Sequence, residues 1–174
     1  LGMIGSVVGA VASNFLTKRF EKKTIFMWAM VAVIVTHSLF LFIPGEQVYV
    51  IFVVYCLANF AHMLITPIMF SMVADTADYG ELQTGKKLTA VTFSGHLLAI
   101  KLGFAIGGAS AGWILSGFNY VPNQVQTQES LTGIITAFAI MPIICTVITL
   151  ILAKRYRLTE PAVIDIQKQL MART

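Results

Sequence analysis

Long apolar runs separated by short polar segments make up most of the sequence up to about residue 153. A helix that spans a bilayer needs about 20 mostly apolar residues, and several of these runs approach or exceed that length. We therefore predict five membrane segments, at 1–16, 25–43, 48–73, 88–118 and 131–153. The first is short and is expected to be the second part of a helix. Pro67 lies inside the third and is expected to bend it.

The sequence becomes polar after residue 153, so we divide the chain into a transmembrane bundle at 1–153 and a tail at 154–174. Within the tail, RLTEPAVIDIQKQL (157–170) is typical of a short amphipathic helix lying near the membrane surface. The chain begins with Leu1 in the middle of an apolar run, which is what a fragment or a processed piece would show.

Composition supports a membrane protein. Hydrophobic residues make up 57% of the chain and charged residues only 11%, whereas soluble domains are about 25% charged. Cys56 and Cys145 both lie in apolar runs, so no disulfide framework is expected. The sequence contains no phosphate-binding loop, no cluster with metal-ligand spacing and no Ser/His/Asp set on one loop. We therefore predict no enzyme, no metal site and no cofactor.

Basic residues predict the orientation in the membrane. Lys and Arg occur in segment 17–24, near the end of 74–87 and in the tail, but segments 44–47 and 119–130 contain none. Since basic loops face the cytoplasm, segments 17–24 and 74–87 and the tail are predicted to be cytoplasmic. The net charge of +4 then belongs to the cytoplasmic face, where anionic lipid headgroups attract it. Nucleic acid is not needed to explain it.

The stretch SMVADTADYGELQTGKKLTA (71–90) is far more charged than its surroundings. Gly80 and Gly85 are expected to break regular structure, so we predict a cytoplasmic loop. One interpretation is that its charges are simply solvated. The other is that the acids, spaced as on one side of a helix end, pair with basic residues of another loop and hold one conformation closed. The candidate gate residues are Asp75, Asp78, Glu81, Lys86 and Lys87.

Lys101 is the one formally charged residue inside a predicted span. A lysine at the centre of a bilayer costs at least about 3 kcal/mol, so it should face a cavity or an acid. The alternative is a lysine that reaches the membrane surface because the helix boundary is misplaced. We favour a charge relay or counter-ion in a transport pathway.

Uncharged polar residues recur at helical spacing in the third and fourth segments. In the third, a stripe on one face contains Tyr55, Asn59, His62 and Thr66. It should face an aqueous cavity or form hydrogen bonds between helices. In the fourth, Thr92 and His96 share a face, and Lys101 lies about 140° from His96 on an ideal helix. His37 stands alone in the second segment, where we predict a hydrogen-bonded packing residue. Small residues at 99, 103, 107 and 111 predict close helix packing in the fourth segment.

Three motifs together resemble the glycoside–pentoside–hexuronide:cation symporters, a branch of the major facilitator superfamily. They are ADTADYGELQTGKK (74–87), KLGFAIGGASAGW (101–113) and NYVPNQVQTQESLTGI (119–134). GAVASNFLTKRFEKK (9–23) also resembles the loop motif of the superfamily. The resemblance implies twelve helices in two six-helix halves. It identifies the chain as an all-α membrane protein, a partial C-terminal six-helix bundle running from the end of helix 8 through helices 9 to 12.

The resemblance also implies roles for particular residues. Asp75, Asp78 and Glu81 match acids of the cytoplasmic closure, and Lys101 matches a lysine beside an acidic cation site of the N-terminal half. His96 matches a polar position near sugar and cation. Leu97 and Thr66 depart from the melibiose carrier, which argues against melibiose itself as the substrate.

We therefore predict the C-terminal part of a bacterial inner-membrane sugar:cation symporter that works by alternating access. Its substrate would be a sugar or glycoside, and Na⁺ or H⁺ would be the coupling ion. Its partners would be membrane lipid and the missing N-terminal half of the same carrier. The alternatives are a membrane protein of signalling or assembly without a transport path, and a drug exporter of the same superfamily.

Overall fold

The computed structural model describes residues 2–172, and this part of the chain is helical without strands. Its helices are α1 (Gly2–Leu16), α2 (Lys22–Leu39), α3 (Val48–Thr84), α4 (Thr89–Gly117), α5 (Gln128–Lys154) and α6 (Glu160–Met171). A π-helical turn, Thr136–Ile140, interrupts α5. The all-α prediction is confirmed. Leu1 and the two last residues of the predicted tail, Arg173 and Thr174, lie outside the described residues.

Each predicted membrane segment corresponds to a helix. Among the described residues, α3, α4 and α5 are long and apolar enough to cross a membrane, and α1 is a shorter apolar helix. The second predicted segment begins three residues earlier than expected, because Lys22 and Lys23 form the first turn of α2. Those lysines and His37 make α2, at 18 residues, more polar than the three long helices.

The acidic stretch is mostly helix, so the predicted loop at 74–87 is wrong for residues 74–84. Helix α3 is 37 residues long, or about 56 Å at 1.5 Å per residue, and it runs through both Pro67 and Gly80. A single glycine inside a helix costs only about 1 kcal/mol, too little to end it. The helix ends at Gly85, which has a φ of 69° and donates its N–H to Glu81 O at 2.8 Å.

Glycines let α1 approach the backbone of α3 closely. A Cβ atom placed on Gly5 would lie 2.9 Å from the carbonyl oxygen of Cys56, and one on Gly9 would lie 2.5 Å from that of Phe60. The predicted small-residue face of α4 makes no such contact within residues 2–172, since a Cβ on Gly103 or Gly107 would meet nothing within 4 Å. Close packing of small residues therefore occurs, but at α1.

The core lies between α2 and α3 and is formed by Ile25, Phe26, Met30, Ile68 and Met72. Leu150, Ala153 and Tyr156, from the end of α5 and beyond, pack against it. In contrast, α4 has no buried residue, and its Phe104 side chain is 79% exposed. The described bundle therefore has a compact side around α3 and an open side along α4.

The motif at 119–134 forms a tight connection between α4 and α5. Asn119 and Asn123 adopt positive φ angles of 53° and 58°, which asparagine tolerates better than most residues. The buried Ser130 hydroxyl donates to the carbonyls of Phe118 and Asn119, at 3.2 and 3.0 Å. Gly133 leaves room for the Phe118 side chain, which would lie only 2.5 Å from an added Cβ. These contacts hold the end of α4 against the start of α5.

The predicted tail helix is present as α6, and it packs against α3. Val163 and Ile166 are 3% and 6% exposed, so the buried part of its apolar side contacts protein. The connection from α5 to α6 lies close to Asp75 of α3, since Tyr156, Leu158 and Thr159 line the same small cavity as Asp75.

Candidate functional site

An ion pair joins the start of α2 to the acidic end of α3. Lys22 Nζ donates to both carboxylate oxygens of Asp75, at 3.0 and 2.7 Å. Asp75 is 5% exposed, while the Lys22 side chain retains 18% exposure. An acid of this stretch therefore pairs with a basic residue from another part of the chain, as one of the two interpretations predicted, whereas its role as a gate stays a prediction.

The neighbouring lysine holds the end of α5. Lys23 Nζ donates to the backbone carbonyls of Lys154 and Tyr156, at 3.1 and 2.5 Å. A cation is favoured there because the last carbonyls of a helix carry partial negative charge. The Tyr156 hydroxyl donates to Met72 O at 3.5 Å, a weak contact that reaches α3. Three elements, α2, α3 and the α5–α6 connection, are thus tied together at one end of the bundle.

The environment of Tyr156 keeps its phenol neutral. Partial burial is the main reason that its pKa is raised to about 12, and the negative charge of Asp75 acts in the same direction. The hydrogen bond with the Thr76 side chain opposes this shift, and the charge of Glu160 adds to it. Tyr156 is therefore a hydrogen-bond donor at any physiological pH. We call the group formed by Lys22, Lys23, Asp75 and Tyr156 the polar cluster.

The other candidate gate residues form no ion pair within residues 2–172. Asp78 and Glu81 are half-buried on the last turns of α3, and Lys86 and Lys87 are exposed in the turn that follows. The structure therefore separates Asp75 from the four residues that the sequence grouped with it.

The polar stripe of α3 hydrogen-bonds largely along its own helix. Asn59 Nδ2 donates to Tyr55 O at 2.8 Å, and Thr66 Oγ1 contacts His62 O at 3.4 Å. These two contacts are not the interhelical hydrogen bonds that one interpretation predicted. Tyr55 and His62 are exposed, so the stripe presents an aromatic ring and an imidazole at its surface.

His37 contacts the same stripe from α2. It is 6% exposed, and its Nδ1 lies 2.9 Å from Val33 O, which fits a hydrogen-bonded packing residue. It is not alone, however, because its ring meets that of His62 edge to face at 5.4 Å between centroids. Phe138, on the π-helical turn of α5, lies 6.3 Å away. The sequence missed this cluster, because the helix neighbours of α2 cannot be deduced from spacing within it.

Two faces of α4 carry the remaining candidates. His96 packs edge to face on Phe70 of α3, at 5.0 Å between centroids, and its buried Nε2 has no hydrogen-bond partner among the described residues. Thr92 is half-buried, one turn before His96. Lys101 is exposed on the open side of the helix, as its angular separation from His96 predicts. Sequence reasoning missed Phe70. The one signal that could have found it is its spacing of four residues from Thr66, which places both side chains on one face of α3.

The arrangement can fasten one end of the bundle and present polar groups along α3 and α4. Within residues 2–172, no three or more His, Cys, Asp or Glu side chains come together as a possible metal site.

Comparison with known proteins identifies relatives along nearly all of the chain. The family described as MFS/sugar transport protein matches residues 1–160. The inner membrane symporter YicJ of Escherichia coli is 37% identical over 88% of this chain and 34% of its own length. The uncharacterized symporter YnaJ of Bacillus subtilis is 32% identical, over 91% of this chain and 35% of its own length.

A third relative, from Salmonella typhimurium, carries a provisional name as an exporter of 2,3-dihydroxypropane-1-sulfonate. It is 30% identical over 95% of this chain and 36% of its own length. The chain thus spans about a third of the length of these curated relatives.

Proposed function

This chain belongs to the MFS/sugar transport protein family, among the glycoside–pentoside–hexuronide:cation symporters, and from that premise we propose its function. The family consists of secondary transporters rather than enzymes. The proposal is that the chain is the C-terminal part of a carrier in the bacterial inner membrane. That carrier would move a sugar or glycoside together with Na⁺ or H⁺ by alternating access.

Lys101 is the observation that supports transport most directly. Its side chain is exposed on a 29-residue apolar helix, and no carboxylate pairs with it among the described residues. A lone cation facing hydrocarbon is costly, so this side of α4 suits an aqueous cavity or carboxylates from the remainder of the carrier. In this proposal Lys101 stabilises those carboxylates when the coupling ion is absent and is displaced when the ion binds.

Substitution of Lys101 tests this role in the complete carrier, reconstituted into vesicles. We expect Lys101→Leu to abolish uphill sugar accumulation and the ion dependence of sugar affinity, because the ion would no longer compete with a fixed charge. Lys168→Leu removes an exposed lysine from α6, which carries no candidate transport residue, and should leave both properties unchanged. If Lys101→Leu accumulates sugar at the parental level with the parental ion dependence, Lys101 has no part in coupling.

The same observation favours a second candidate, in which the transported solute is a polar anion. Lys101, an exposed cation on α4 without an acid partner among the described residues, would suit a sulfonate or carboxylate. The Salmonella relative with a sulfonate in its name makes this class worth testing. Counterflow in vesicles loaded with a neutral glycoside or with a hydroxyalkyl sulfonate would distinguish the two. Faster exchange of the sulfonate would overturn the neutral-sugar proposal.

A further inference from the structure

An apolar groove of about 410 Å³ runs between α1 and α2, with α3 as its floor. Its walls include Leu16, Phe20, Ile25, Trp28, Ala32 and Leu64. The α2 residues at 25, 28, 29 and 32 recur at helical spacing, so the groove follows α2 away from segment 17–24. The groove is apolar and follows α2 for about 12 Å between Thr24 and Ala32, which suits part of a hydrocarbon chain.

Two of the four cations of segment 17–24 make polar contacts with other helices, and the other two form no ion pair, although Lys18 Nζ lies 5.8 Å from the centroid of the Phe15 ring. Lys22 and Lys23 are half-buried and bind Asp75 and the end of α5, as described above. Lys18 and Arg19 are exposed, and neither forms an ion pair within the described part of the chain. Both directly precede Phe20 at the mouth of the groove. Glu21, the acid of this segment, lines the polar cluster on the Asp75 side.

Trp28 adds a hydrogen-bond donor to the groove wall. Its side chain is 68% exposed, and no described residue accepts a hydrogen bond from its indole N–H. Tryptophan is enriched at membrane interfaces because its ring is apolar and its N–H is polar. Two cations without an ion pair therefore directly precede one lining residue of the groove, Phe20, and the indole donor of Trp28 lies on its wall.

We propose that this groove binds an anionic phospholipid, with one acyl chain along α2 and the phosphate at Lys18 and Arg19. The positive charges of Lys18 and Arg19 favour an anionic lipid over a packing helix as the occupant. A packing helix would fill the apolar part but would bring no anion to the two cations, whereas basic pockets between membrane helices take anionic headgroups. The inference requires only a membrane location and does not depend on the proposed transport function.

Fluorescence quenching by brominated lipids tests the site. The chain contains two tryptophans, Trp28 and Trp113. In the complete carrier, Trp113→Phe together with replacement of any tryptophan outside this chain by Phe leaves Trp28 as the reporter. The variant is placed in phosphatidylcholine vesicles with either phosphatidylglycerol or further phosphatidylcholine brominated on the acyl chains. Since each of the two surface cations contributes about 1 kcal/mol, we expect a preference of about thirtyfold for the anionic lipid.

Charge and volume variants identify the contacts. Lys18→Gln/Arg19→Gln should remove the preference, while Lys86→Gln/Lys87→Gln, with the same change in net charge, should retain it. Ala32→Phe fills the groove and should reduce quenching by the anionic lipid although both cations remain. Circular dichroism of each variant verifies the helical content.

Three results would overturn the proposal. Equal quenching by the two lipids would mean that no anion is selected. An equal loss of preference in both charge variants would mean that only general surface charge acts. No quenching by either lipid would mean that protein covers the groove.

Discussion

Lys22 and Asp75 form a charge pair that is largely removed from water, and such a pair depends on both partners being present. The acid spacing in the sequence indicated that one of three carboxylates would find a base. It could not indicate which one, because the partner lies 53 residues away and only the packing of α2 on α3 selects it. The role of Lys22 was likewise hidden among four similar cations.

Neutralising Asp75 leaves a half-buried lysine without its partner. We expect Asp75→Asn to lower stability by about 3 kcal/mol, toward the lower end for broken buried pairs because Lys22 keeps some solvent contact. It should also slow transport by the complete carrier if this end closes in one state. Thermal unfolding in detergent and initial uptake rates measure the two effects. Asp78→Asn, which makes the same chemical change without breaking an ion pair, should do neither; equal effects would contradict the assignment.

The raised pKa of Tyr156 predicts that the folded protein loses stability at high pH. Its folded pKa of about 12 exceeds the usual value of 10.0. The protonated phenol is thus favoured by folding, so this contribution is fully present below pH 10 and disappears as the pH rises to about 12. We expect the unfolding temperature to fall less between pH 9.5 and 11 in Tyr156→Phe than in the parent. Tyr79→Phe, at an exposed tyrosine, is the control and should follow the parent curve.

Helices were predicted well where apolar runs were long, and poorly where polar residues continue a helix. All five predicted segments are helical, yet α3 extends eleven residues beyond its predicted end at residue 73. Hydropathy reports what contacts lipid, whereas a helix continues as long as its backbone hydrogen bonds do. The same limitation placed the close-packed glycines on α4, because spacing alone does not show which helix has a neighbour. The glycines of α1 do have a neighbouring helix, which is α3.

The α1–α3 contact depends on the absence of a side chain at Gly9. We expect Gly9→Leu to separate the two helices and to lower the unfolding temperature clearly, because a Cβ there would clash with the Phe60 carbonyl. Gly107→Leu adds the same side chain to the open face of α4 and should be tolerated by this chain. A comparable loss of stability in the two variants would mean that the described α1–α3 approach is not what holds α1.

The molecule as a whole has two ends of different chemistry. The α2–α3 turn carries no cation, and the opposite end gathers the basic segment, the Asp75 pair and the α5–α6 connection. Family membership confirms the predicted fold class, but the orientation of the ends, the coupling ion and the substrate stay predictions. Selectivity for an ion or a solute depends on which side chains converge in space, and residue spacing within one helix does not show this.

Cysteine labelling tests the orientation. In a Cys56→Ser/Cys145→Ser background, Glu46→Cys places a thiol in the exposed α2–α3 turn and Gln83→Cys places one at the exposed far end of α3. An impermeant maleimide added to sealed right-side-out vesicles should label position 46 and not position 83. Labelling of position 83 under these conditions would reverse the predicted orientation.

The separation of Lys22 from Asp75 along the chain also has a consequence in time. A ribosome that adds 5–20 residues per second needs roughly three to ten seconds to make the residues between them. During that interval Lys22 exists without its carboxylate, while the rest of α2 and most of α3 are synthesised. The ion pair between α2 and α3 can therefore form only after most of α3 has been made.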